Sequence, residues 1–184
     1  MTATADHYRR LAGQFGETAA AVPGDKWSAP SPCEGWAARD VVRHVVGNAG
    51  WFLGFIGGNL DGAPSVDTDP VAAFTFARDA IQKALDDPAT ADKTVDAFGG
   101  PMKFGDAVDR FMCMDLLIHR WDLAAATGQQ VELDPAELQS AKATAEGFGE
   151  ALRSPNVCGP ALDPPAGADE QTKVLAFLGR KAWA

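Results

Sequence analysis

The residues best suited to chemistry are an acid and an imidazole four positions apart, Asp115 and His119, in the stretch DLLIHRWDLAAATG. On an α-helix, positions i and i+4 lie one turn apart on the same face. A carboxylate and an imidazole held in this way can share a divalent metal, which needs at least one further ligand. The chain has three histidines, so only His7 and His44 are left to supply another imidazole. His44 lies beside the apolar stripe Val41, Val42, Val45, Val46, Ala49, Phe52, Leu53 and Ile56, at the border of a core rather than on a solvent face. If the helix carrying His44 lies beside the helix carrying Asp115 and His119, the three converge. Two imidazoles and a carboxylate with open positions are the ligand set of a catalytic zinc, nickel or iron(II) site. The blander reading is a pair of core histidines hydrogen-bonded to backbone, the commoner use of a half-buried histidine.

Other chemistries find less support. No G-x-S-x-G elbow, phosphate-binding glycine loop or dinucleotide fingerprint is present. The three cysteines, Cys33, Cys113 and Cys158, are far apart and show no C-x-x-C spacing, which points to reduced thiols in the cytoplasm. A formal net charge of -9 argues against nucleic acid and anionic membranes as partners. No apolar run approaches a membrane span, and the N-terminus lacks the layout of a signal peptide.

The elements that must position these residues are helical. Residues 2–22 carry Tyr8, Leu11, Ala12, Phe15, Ala19 and Val22 at helical spacing, ahead of a Pro23-Gly24 stop. A Pro/Ser/Gly-rich loop follows, with Trp27 packed back on the bundle. The second helix runs from about Gly35-Trp36 to Ile56. Asp69-Pro70 starts a third, reaching about Leu85. Residues 94–103 suggest a short hairpin or extended loop, with Phe98 in the alternating run and Gly99-Gly100-Pro101 as the turn. The fourth helix spans about Phe104 to Thr127, with Gly128 at its end. It is apolar on most sides and therefore central, and Asp115 falls where a hydrophobe is expected. Burying an unpaired carboxylate costs several kcal/mol, so Asp115 needs a partner. Asp134-Pro135 starts a fifth helix reaching about Leu152. A proline-rich loop, Ser154 to Gly167, leads to a short helix from about Asp169 to Leu178. The expectation is an all-α bundle in one domain, 1–184.

Two segments carry a resemblance. PSPCEGWAARDVVRHVVGNAGWF, with C-x-G-W, then R-D, then His44, resembles the start of actinobacterial mycothiol-dependent maleylpyruvate isomerase-like proteins. DLLIHRWDLAAATG resembles their second motif. These proteins belong to the DinB/YfiT-like superfamily of metal-binding four-helix bundles. The tail CGPALDPP…TKVLAFLGR is similar to the end of a single-domain subgroup of metal-binding proteins. The resemblance implies a DinB-like four-helix bundle with extra short helices and a divalent metal on His44, Asp115 and His119, zinc first, then nickel or iron. It also implies mycothiol as cosubstrate in transferase or isomerase chemistry on a small electrophile. This chain departs from the isomerases in having Asp115 where they have Glu, one methylene shorter, and in ending before their C-terminal α/β domain. A metal- or small-molecule-binding stress protein without turnover is the second reading. A structural protein, dimeric through its helix faces, is the third. Asp122 is placed to accept from a ligand imidazole or to serve helix packing alone. Arg39 and Asp40 suggest a structural pair, Cys33 a packed loop residue, and His7 a structural or surface residue, the alternative being that helix one brings it to the pocket rim. Trp36 and Trp51 flank His44, as pocket wall or as core.

Overall fold

The structure is a computed structural model that describes residues 2–97, 100–154 and 157–183. Four long helical stretches form its centre: α1 (Ala3–Ala20), α2 (Ala38–Phe55), α3 (Pro70–Asp86) and a continuous run of α5 (Phe104–Ala107), a π-helical turn (Val108–Met112) and α6 (Cys113–Thr127). In cross-section α1 packs on α3 and α6, and α2 packs on the same two. The last of these four stretches therefore packs against both α1 and α2. One connected hydrophobic cluster fills the bundle, with Tyr8, Phe15, Val41, Phe74, Phe104, Leu116 and Leu123 among its buried members. All six apolar positions expected on the first helix are members, as are Val41, Val42, Val45, Ala49, Phe52 and Leu53 of the second, while Val46, Ile56 and Trp27 are partly buried and pack against it.

Around this centre sit the single-turn helix α4 (Pro88–Ala91), a two-stranded antiparallel ladder and two outer helices. The strands β1 (Thr94–Ala97) and β2 (Gly100–Lys103) pair from Thr94 with Lys103 to Ala97 with Gly100, as the hairpin expectation had it. Phe98 and Gly99, expected in its run and turn, lie outside the described residues, as do Pro155 and Asn156 of the proline-rich loop. Outer helix α7 (Pro135–Gly147) rests on α6, and α8 (Glu170–Phe177) rests on α7. No helix among the described residues is long and apolar enough to cross a membrane.

Local chemistry explains the helix boundaries. Asp69 caps α3 by accepting from the Ala72 N–H, with Pro70 in the first turn. Asp134 does the same for α7. Gly128 ends α6 in the left-handed conformation at a φ of 77°. Two boundaries differ from the sequence expectation. Helix α2 starts at Ala38, because Gly35 at a φ of 77° turns the chain and the Trp36 carbonyl is bonded to the Ser31 N–H instead. Helix α7 stops at Gly147, and a 3₁₀ segment, Gly149–Arg153, replaces its expected end. Gly149 has a φ of 54°, which a right-handed helix cannot continue through.

The π turn is the third difference. The Cys113 N–H bonds the Val108 carbonyl, five residues back, so one extra residue is accommodated ahead of the site stretch. Such turns recur at functional sites in helices.

The Phe15 ring is fully buried and sits 4.7 Å from Phe74, joining α1 to α3. Phe15→Ala is expected to destabilise the bundle by about 3–5 kcal/mol, measured by urea unfolding.

Candidate metal centre

Placing α2 against α6 brings His44 to Asp115 and His119. His44 Nε2 lies 3.2 Å from Asp115 Oδ1. His119 Nε2 lies 3.2 Å from the same oxygen. The donors of all three residues lie within 4.8 Å of one another. Ligands held at ~2.0–2.2 Å from one ion are themselves about 3–3.5 Å apart, so the spacing suits a shared ion. Among the described residues no backbone group bonds either imidazole, whereas backbone bonding is the arrangement a purely structural role would favour. Asn48, one turn after His44, donates to Asp115 Oδ2 at 3.0 Å and approaches His44 Nε2 at 3.0 Å.

Asp122 fixes His119 from behind. Its Oδ2 lies 2.9 Å from His119 Nδ1. Arg180 grips the same carboxylate through Nε to Oδ1 at 3.2 Å and Nη2 to Oδ2 at 2.9 Å. The Cys33 thiol donates to Asp122 Oδ2 at 3.3 Å. Burial alone would push the Asp122 carboxyl up, but His119 and Arg180 outweigh it and bring it down to about 2. An ionised Asp122 makes His119 Nδ1 the donor, so Nε2 is directed at Asp115. Burial also raises the Asp115 carboxyl. The charges and hydrogen bonds of His119 and His44 outweigh this and hold it well below the usual carboxylate range. Burial lowers His119, but Asp115 and the hydrogen bonds to Asp122 and Cys33 lift it well above the usual imidazole value. The two imidazoles and one carboxylate gather where a shared proton or a metal ion could sit.

These residues form part of the wall of a cavity of about 680 Å³. That volume is in the range of small-molecule sites. Trp36, Trp51, Phe52, Phe111 and Phe148 give it an aromatic lining. The Trp36 ring stands 5.0 Å from His44 and 5.9 Å from His119, covering both imidazoles. The C-x-G-W turn makes this cover. Gly35 reverses the chain, and the Trp36 N–H bonds the Cys33 carbonyl at 3.0 Å. Cys33 and Trp36 therefore both face the site.

The structure decides between the alternative readings of several residues. Cys33 is a hydrogen-bonded member of the site and not merely a packed loop residue. Asp122 is the His119 acceptor and is fully buried. His7 is absent from the cavity lining and sits with Asp109 and Glu137 instead. Asp40 pairs with Arg43 and accepts from the Ala37 N–H, not from Arg39. Trp36 and Trp51 line the cavity. Arg180 and Asn48 were not foreseen. Asn48 could have been found from its position one turn after His44. Arg180 lies far away in sequence, and its only local signal is the preceding glycine. Gly179 has a φ of 82°, and a Cβ there would meet the Gly159 backbone at 3.2 Å. Only glycine lets the tail approach closely enough to slide Arg180 under Asp122.

Fold and site together define a class: a helical bundle with two histidines and a carboxylate gathered at the wall of a cavity. The chain belongs to the family of the mycothiol maleylpyruvate isomerase N-terminal domain, whose model matches residues 8–124. That match contains His44, Asp115, His119 and Asp122 but stops short of Arg180. Two uncharacterised proteins from two strains of Mycobacterium tuberculosis are each 29% identical to the chain over 181 residues, covering 94% of it and 95% of their own length. No solved structure matches significantly.

Because Asp122 and Arg180 are both buried, removing one strands the other. Asp122→Ala is expected to lose about 3–5 kcal/mol. The double variant Asp122→Leu/Arg180→Met should lose less than the single one, as read from paired denaturation curves.

Proposed function

We propose that the protein binds a divalent metal, zinc first and nickel or iron next, on His44, Asp115 and His119. On this reading it acts on a small electrophile with a low-molecular-weight thiol such as mycothiol as cosubstrate, in transferase or isomerase chemistry. The observation that carries the metal assignment is the approach of two imidazole Nε2 atoms to one Asp115 oxygen, each at 3.2 Å, at the wall of a cavity of about 680 Å³. The thiol and the reaction class come from the family to which the chain belongs.

A bound divalent ion would supply Lewis acidity or lower the pKa of a coordinated water or thiol. The chain's own residues do the positioning. Asp122, locked by Arg180, orients the His119 ring and keeps its Nδ1 protonated, which directs Nε2 into the site. Asn48 occupies Asp115 Oδ2 and leaves Oδ1 between the imidazoles. Trp36 packs beside both imidazoles, and the His119 ring under it is largely withdrawn from water, which strengthens its electrostatic interactions. Trp51, Phe111 and Phe148 offer apolar surface to the body of a small substrate.

Elemental analysis of protein purified without a metal-affinity tag is expected to find zinc, nickel or iron. His44→Ala and His119→Ala should each lower the metal content by one ion per chain. Binding equal to the parent in both variants would overturn the ligand assignment. A screen of small electrophiles with and without thiol then tests turnover, which Asp115→Asn should reduce about 10- to 100-fold.

A further inference from the structure

On the opposite side of the long helix lies a second cluster that the cavity does not use. His7 from α1, Asp109 and Cys113 from the π turn and its end, and Glu137 from α7 surround a void of about 10 Å³. That is the size of one water molecule or one small ion. His7 Nδ1 lies 2.7 Å from Asp109 Oδ1, and His7 Nε2 lies 3.0 Å from Glu137 Oε2. Donor atoms of His7, Asp109 and Cys113 lie within 4.8 Å of one another. The Cys113 side chain is buried, at 1% exposure, borders the void, and has no hydrogen-bond partner among the described residues.

We propose that His7 Nδ1, the Asp109 carboxylate and Cys113 Sγ form a second divalent-metal site with zinc-type ligand chemistry, tying α1 to the π turn. Glu137 accepts from His7 Nε2 and is itself held by Arg10. This leaves Nδ1 as the bare nitrogen, facing Asp109 and Cys113. The main site has the same plan: an imidazole oriented by a carboxylate, and that carboxylate held by an arginine. Carboxylate–histidine pairs of this kind orient metal-ligating imidazoles. A mixed nitrogen, oxygen and sulfur set suits zinc and disfavours magnesium or calcium, which take oxygen ligands. An imidazolium bridging Asp109 and Glu137 would explain the two short contacts but leave Cys113 and the void without a role. Asp109 is partly exposed, at 43%, and opens a route for an ion from solvent. The π turn also gains a purpose, since Asp109 lies within it and Cys113 marks its end.

Cobalt(II) titration of the metal-free full chain tests this site independently of the main one. The expected result is two ions per chain and a near-ultraviolet thiolate-to-cobalt charge-transfer band. Cys113→Ser should abolish the band and lower the stoichiometry from two to one. His7→Gln, at a half-buried position, should also lower it to one and serves as a second variant should Cys113→Ser fold poorly. His44→Ala and His119→Ala should lower it to one with the band kept. Cys33→Ser and Cys158→Ser should change neither. The proposal is overturned if the parent shows no thiolate band, if the band survives Cys113→Ser, or if Cys33→Ser removes it. It is also overturned if His7→Gln leaves the stoichiometry at two. Loss of binding in the His44 and His119 variants with no thiolate band in the parent would leave the main site standing and this one refuted.

Discussion

The site depends on a buried ion pair. Asp122 and Arg180 meet through two hydrogen bonds, and both are buried, Asp122 completely and Arg180 to within 8% of its surface. Withdrawing two charges from water is expensive, and their attraction offsets this only when geometry is good and remaining polar atoms are satisfied. Both conditions are met. Asp122 also serves His119 and Cys33, and Arg180 reaches the Leu178 carbonyl at 2.7 Å. The pair does more than hold the tail to the bundle. By keeping Asp122 ionised, it holds an acceptor against His119 Nδ1, and the ring's Nε2 faces Asp115. A contact between the C-terminal tail and α6 thereby helps set how the His119 ring is held at the cavity wall.

The bundle places the other half. Helix α2 sits against α6 because Val41, Val45 and Phe52 belong to the common core. That packing brings His44 and Asn48 over Asp115. A carboxylate at a core-facing position would be a liability if left alone. Here it receives Asn48 on one oxygen and both imidazoles on the other. The loop before α2 completes the enclosure, with Gly35 turning the chain so that Trp36 covers the imidazoles and Cys33 reaches Asp122. The π turn ahead of α6 changes which residues face each side. Phe111, Asp115 and His119 line the large cavity, whereas Asp109 and Cys113 line the small void by α1 and α7.

Most of the fold was legible in the sequence. The stripes of α1, α2 and α3, the Asp-Pro starts of α3 and α7, and Gly128 after α6 are local signals with local causes. They appear in the structure within a few residues of where periodicity and capping put them. The mismatches have specific backbone causes. Gly35 and Gly149 adopt positive φ, the first delaying the start of α2 and the second ending helical geometry after α7. The π turn left no mark in the stripe, because one added residue in a helix apolar on most sides does not disturb its composition.

The chain by itself determined that Asp115 and His119 share a helix face, that His44 borders a core, and that Asp115 requires a partner. Each follows from a period of 3.6 residues and from the cost of burying charge. Only tertiary packing decided that α2 lies beside α6, and with it that the three groups meet. Packing also put Arg180 under Asp122 from 58 positions away and set His7 against Asp109 and Glu137 rather than in the cavity. Such contacts depend on close approach between helix faces and on a Gly179 that lets two backbones nearly touch. No local pattern encodes those distances, since they arise only when the whole core is filled.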